Sequence, residues 1–226
     1  MSEASVQDFV DIRRKNVLNV DVFVAFNVVL FSFMCVFVYY DRFIVYRGKE
    51  NIMEFFVYAV LIMGAIFFAW RALRSYPFSV PILLLIELGI LMHFAGGLVQ
   101  LHGTRLYNNF FFGLRYDKYV HFCNSLFGAL VVKDFFDRRK MKLYNFTSLT
   151  VILIVLGFGS AIEIVEYAVT KTVHNNGVGG YDNNMQDLIA NLTGGLAYCS
   201  IEQLRRRMTG RHNKNPKNAD IDDKFL

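Results

Sequence analysis

An all-α membrane protein, a polytopic transmembrane helical bundle of about six spans, is the fold class this sequence predicts, and three observations carry it. Apolar runs recur along the chain at close to the length that crosses roughly 30 Å of hydrocarbon. Hydrophobic residues make up 54% of the chain and aromatic residues 16%, more than the short amphipathic elements of a soluble domain would require. Basic residues gather in the polar stretches between the runs. The net charge of +5 therefore reports orientation in a bilayer rather than affinity for nucleic acid.

Residues 1–18 are polar, with Val6, Phe9 and Val10 at helical spacing before Arg13-Arg14-Lys15. An interfacial helix and a solvated cytoplasmic start are both open here. The first span covers 20–40; Asp21 and Asn27 make it a poor signal-peptide core, and it is expected to be retained. The second, 52–70, is closed by Arg71 and Arg74, and Pro77 and Pro81 start the third at 78–99. A connector from Gln100 to Asp117 follows, rich in aromatic residues (Tyr107, Phe110, Phe111, Phe112 and Tyr116). Such side chains favour the headgroup level, so it should lie on the membrane surface or fold back over the helices. The fourth span covers 116–133 and leads to a loop with Lys133, Arg138, Arg139, Lys140 and Lys142. The fifth is 148–169 and the sixth 185–204. Between them, Gly177-Val178-Gly179-Gly180 reads as a flexible turn, because a phosphate-cradling loop needs a βαβ setting that is absent from the pattern. From Arg205 the chain is basic and polar, and 205–226 is expected to be a disordered cytoplasmic tail. The three cysteines, Cys35, Cys123 and Cys199, fall inside spans without disulfide or zinc spacing and read as packing residues.

Most of the 24 Lys and Arg residues fall on the segments that share a side with the N-terminus, so both termini should be cytoplasmic. The sequon Asn145-Phe146-Thr147 then lies in an inner loop and Asn191-Leu192-Thr193 in a span, and neither should carry sugar. This orientation brings polar residues of four helices to one outer depth. His93 lies in the outer half of the third, and Asp117 and His121 share a face at the start of the fourth. Glu163 and Glu166 lie on one side of the fifth, and Asp187 and Asn191 occupy the first turns of the sixth. Ionisable residues inside a membrane are costly and usually functional.

Three chemistries remain open for this set. Glu163, Glu166, His121 and Asp117 can act as general acids and bases, with His93, Asp187, Asn191 and Lys118 contacting a substrate. His93, His121, Glu163, Glu166 and Asp187 can ligate a divalent ion, since mixed nitrogen and oxygen donors suit zinc, manganese or iron. The same groups can also bond one another and hold the bundle together. Taken singly, Lys118 reads as an interfacial snorkelling residue, Asp117 as a helix cap or site acid, and Asn191 with Gly194 and Gly195 as close helix packing. Glu87, near mid-membrane and off the His93 face, fits a proton path or a second polar contact; His102 and Arg105 fit headgroup binding or solvent. Gly-x-Ser-x-Gly, His-Glu-x-x-His, Walker and Cys-x-x-Cys signatures do not occur.

Three blocks carry a family likeness: Met92-His93-Phe94-Ala95-Gly96-Gly97, Tyr116-Asp117-Lys118-Tyr119-Val120-His121-Phe122, and Ser160-Ala161-Ile162-Glu163-Ile164-Val165-Glu166-Tyr167. Together they resemble the YjdF-like bacterial inner-membrane proteins, a group without established function. The run Asp182–Gly194 is more similar to the VanZ-like membrane proteins, which share an Asp-Lys-x-x-His-Phe helix start. The likeness spans about residues 50–204. It implies a multi-pass protein of the cell (inner) membrane with its motif residues at the outer face, and it brings no reaction with it. The tryptophan-rich segment expected before the last helix is replaced here by Gly179-Gly180-Tyr181-Asp182-Asn183-Asn184. The leading expectation is a protein that binds or processes an envelope lipid or lipid-linked substrate. A proton-coupled transporter and a non-catalytic scaffold are the alternatives.

Overall fold

A computed structural model describes residues 17–141, 146–172 and 180–212. The segment 1–16, Asn145 of the first sequon, Gly177-Val178-Gly179 and the tail from 213 lie outside the described residues. The chain is built on long helices and divides between Leu88 and Gly89 into two compact units.

In the first unit, α1 (Asn19–Met34) passes without a break through a π-helical stretch, Cys35–Tyr39, into α2 (Tyr40–Arg47). Gly48, at φ +84°, ends this rod and returns its N–H to the Ile44 carbonyl at 3.0 Å. The helix α3 (Ile52–Leu73) runs back along it, and α4 (Val80–Leu98) begins here and crosses the unit boundary. The start of α1 is tied to the end of α3 by Asp21. Its carboxylate accepts from Trp70 Nε1 at 2.7 Å and from Arg74 Nε and Nη2 at 2.9 and 3.0 Å. At the other end, Arg47 pairs with Glu54 at 2.9 Å. Glu87 makes the second polar contact that its position allowed, with Asn27 Nδ2 donating to Oε2 at 2.8 Å.

The second unit contains the rest of α4, two small hairpins and the helices α5 (Tyr116–Arg138), α6 (Thr147–Thr172) and α7 (Tyr181–His212). The hairpins were not anticipated. Strand β1 (Gln100–Leu101) pairs with β2 (Thr104–Arg105), and β3 (Phe110–Phe111) pairs with β4 (Leu114–Arg115), each antiparallel. Both turns place two residues at positive φ, His102-Gly103 and Phe112-Gly113, the geometry that matches strand twist in a two-residue hairpin. The connector also folds back over α4. The Tyr107 ring lies so close to Gly96 that a Cβ there would sit 2.4 Å from it.

Helix α7 starts at Tyr181, ahead of the expected Met185, and runs past the expected end to His212, with Arg206 and Glu202 paired at 2.9 Å one turn apart. One stripe of it, Asp187, Asn191, Gly194 and Tyr198, is buried, while Ile189, Leu192 and Leu196 face out. Against that stripe lie Ala129 and Phe136 of α5 and Val151 and Val155 of α6. Backbones touch at one point: a Cβ on Gly194 would stand 2.3 Å from the Phe122 carbonyl oxygen, so only glycine permits this crossing.

Among the described residues, four helices are long and apolar enough to cross a membrane: Asn19–Val45, Lys49–Leu73, Val80–Leu98 and Thr147–Ala168. At most 22% of any such window is buried inside the protein, so their apolar side chains face outward, where water would be a poor solvent. The polar helices α5 and α7, with 23 and 32 residues, are also long enough to cross; they bury Lys118 and Asp187, while Asp137, Arg138, Asp182, Arg206 and Arg207 stay exposed.

The crossing yields a test. Gly194→Ala should destabilise the protein by about 1–3 kcal/mol through overpacking against the α5 backbone. Gly195→Ala would meet only Ile152 and Val155 at 3.6 Å and should be neutral or slightly stabilising. Thermal melting of the two variants in one detergent checks the contrast.

Candidate functional site

The N-terminal turns of α5 and α7 meet the C-terminal half of α6, which places Asp117, Lys118, His121, Glu163 and Asp187 together. Local sequence explains the placement. Arg115, in extended conformation, precedes the first helical residue of α5, so Asp117 is a first-turn acid rather than the cap. Acids at the starts of α5 and α7 are favoured by the partial positive charge of helix N-termini.

Lys118 overturns the snorkelling reading. It is 6% exposed, and its ammonium donates to Asp187 Oδ1 at 2.6 Å, Asn183 Oδ1 at 2.9 Å, Asp117 Oδ2 at 3.1 Å and the Asn183 carbonyl at 3.3 Å. Asn183 completes the knot, donating from Nδ2 to Asp187 Oδ2 at 2.7 Å and accepting from Arg115 Nη1 at 2.8 Å. Asp187 is 1% exposed, and this network is what makes its burial tolerable.

His121 lies beside that knot. Its Nε2 is 3.4 Å from Asp187 Oδ1 and 3.7 Å from Asp117 Oδ1, and its Nδ1 is 3.8 Å from Glu163 Oε1. Glu163 is 5% exposed, and among the described residues neither of its carboxylate oxygens has a hydrogen-bond partner. The contrast divides the cluster: Lys118, Asp187 and Asn183 are bonded to one another, whereas Glu163 and His121 keep unspent hydrogen-bonding capacity in a buried place.

The other expected residues are nearby in sequence but differently engaged. His93 is held by the connector: the Tyr107 hydroxyl lies 2.6 Å from its Nδ1 and 3.0 Å from its carbonyl. Glu166, half-buried, has no hydrogen bond or ion pair among the described residues. Asn191 packs: its carbonyl accepts from Ser125 Oγ at 2.6 Å, and its side chain fills the space over Gly159. Sequence reasoning missed Asn183, Asn184 and Arg115 as members. Asn184 is buried and reaches the Glu163 carbonyl at 3.4 Å. The signal was present in the four-residue spacing of Asn183 and Asp187, but the helix was expected to start after it.

Two substitutions separate structural from reactive members. With EDTA present, so that no bound cation contributes, Lys118→Met should lower stability by about 3–5 kcal/mol, the cost of stripping one partner from a buried pair. His121→Ala should leave the melting temperature nearly unchanged. An equal loss for both would make the whole cluster structural.

No curated protein and no solved structure matches the chain. The family described as Predicted membrane protein (DUF2238) matches residues 22–207, from the first span through most of α7. The match is consistent with the YjdF-like likeness but begins ahead of residue 50, where that likeness was expected to start, and it takes in the four helices that are apolar enough to span among the described residues. The chain belongs to the DUF2238 family of predicted membrane proteins.

Proposed function

We propose that the cluster at the starts of α5 and α7 binds the polar head of a membrane lipid or lipid-linked substrate, with His121 and Glu163 as the polar groups left open to it. The observation that carries this reading is Glu163, a buried carboxylate whose two oxygens have no hydrogen-bond partner among the described residues. Structural networks bury acids to bond them, because an unsatisfied buried group costs about 1–3 kcal/mol or more. An acid held unsatisfied 3.8 Å from an imidazole is arranged for a group that arrives later.

The surroundings support a lipid as that group. The hairpin leading directly into α5 exposes Phe110 and Phe112, the latter completely, and such side chains suit the interface between headgroups and acyl chains. Basic-residue placement supports the outer face of the inner membrane as the site's location. The likeness of Asp182–Gly194 to VanZ-like proteins supports an envelope role. In this reading Lys118, Asp117 and Asp187 hold the site's shape, while His93 is positioned from the side by Tyr107.

The test compares lipids that copurify with the wild-type chain, Glu163→Gln and His121→Ala, all in one detergent. Wild-type protein should carry one lipid class enriched over the membrane extract. Both variants should lose that enrichment about tenfold or more, as expected for removing a charged hydrogen bond, while their circular dichroism is retained. An identical lipid profile in all three refutes the proposal.

A proton-coupled carrier is the second reading, favoured by Glu87. Its Oε2 accepts from Asn27, while Oε1 is buried without a partner among the described residues. Proton-driven flux in proteoliposomes that disappears with Glu87→Gln would establish this reading; unchanged flux would remove Glu87 from it.

A further inference from the structure

We infer that Asp117, His121 and Asp187 bind a first-row divalent cation, with Glu163 as the outer carboxylate that orients the imidazole. This deepens the proposed site and rests on its being a ligand site rather than glue. One donor atom from each of the three residues lies within 4.8 Å of the other two. Metal–nitrogen and metal–oxygen bonds of about 2.0–2.2 Å in a tetrahedron set donors roughly 3.3–3.6 Å apart. His121 Nε2 stands 3.4 Å from Asp187 Oδ1 and 3.7 Å from Asp117 Oδ1, so these two donor pairs are close to the edge length of such a polyhedron.

The other imidazole nitrogen supplies the independent observation. Histidines that ligate metals usually give their second ring N–H to a carboxylate or carbonyl, which fixes tautomer and orientation. Here Nδ1 faces Glu163 Oε1 at 3.8 Å, and the Glu163 carboxylate, 5% exposed, has no hydrogen-bond partner among the described residues. With the ion bound at Nε2, that gap would close to hydrogen-bonding distance.

Charge points the same way. Asp117, Glu163 and Asp187 contribute three carboxylates, with Glu166 close enough to act on Glu163, and among the described residues the Lys118 ammonium bonds Asp117 and Asp187. Arg115 reaches Asn183 and Asn108 rather than a carboxylate. Buried charge left unbalanced is expensive, and one dication would offset two charges of the surplus. Lys118 does not block the ion from Asp117: it bonds Oδ2 and leaves Oδ1 toward His121. At Asp187 the ammonium and the ion would share Oδ1. The mixed imidazole–carboxylate set suits zinc or manganese.

The experiment uses the full chain in detergent, purified without chelator for elemental analysis, then stripped with EDTA and titrated with ZnCl2 or MnCl2 while melting is followed. About one ion per chain and a rise in melting temperature with one of the two salts are expected. His121→Ala and Asp117→Asn should abolish the rise, whereas Glu163→Gln should keep it with affinity weaker by about 10–100-fold. No rise in the wild-type chain with either salt overturns the inference, as does a rise that both ligand variants keep. Lipid content measured on the same samples separates the two claims. Lipid enrichment that depends on Glu163 without any metal leaves the lipid reading standing alone. Metal binding with an unchanged lipid profile leaves the cation site standing alone.

Discussion

The Lys118 ammonium lies between the carboxylates of Asp117 and Asp187 in a unit whose outward faces are largely apolar, and the packing of α5 against α7 depends on that contact. Neither Lys118 nor Asp187 tolerates such burial alone, because desolvating an isolated ion costs more than helix packing returns. Paired, and stitched by Asn183 to both, they bring two helix N-termini together where acids are favoured. The close crossing at Gly194 allows the backbones to approach, so the ion pair and the small-residue contact require each other.

Glu163 and His121 depend on this frame without adding to it. Helix α6 reaches the cluster from the opposite direction, which puts its carboxylate against the far side of the imidazole from Asp187. Those contacts are not closed to hydrogen-bond length. Instead the histidine spans three acids at 3.4–3.8 Å, a spacing that an intervening ligand can tighten. The proposed lipid recognition and the proposed cation binding both rest on this same looseness.

The aromatic connector serves the same end of α5. Its two hairpins deliver Tyr107 onto Gly96 and His93, Tyr116 onto the Met92 carbonyl at 3.3 Å, and Tyr119 onto the Phe111 carbonyl at 2.7 Å. The bond from Tyr119 satisfies a connector carbonyl, while Tyr107 and Tyr116 tie the connector and the start of α5 to carbonyls of α4. In the first unit Asp21 plays a comparable part, joining α1 to α3 through Trp70 and Arg74.

Six spans were expected and, among the described residues, four helices are apolar enough to cross. The all-helical class and the order of the helices were determined by the sequence alone, because apolar runs are local features. So was the convergence of Asp117, His121, Glu163 and Asp187, since alternating helix direction and residue spacing place them at one end. Tertiary structure decided what local pattern does not contain. Lys118 turned inward because an acid from a helix distant in sequence awaited it, while the same side chain on a lone helix would reach for the interface. Asn183 became part of the site because α7 starts earlier than its apolar run, its first polar turn being satisfied by Lys118 and Arg115 instead of water. His93 went to Tyr107 because two glycine turns folded the connector back. Which acid stays bonded and which stays open is a property of side chains meeting across helices, and that is settled by packing rather than by spacing.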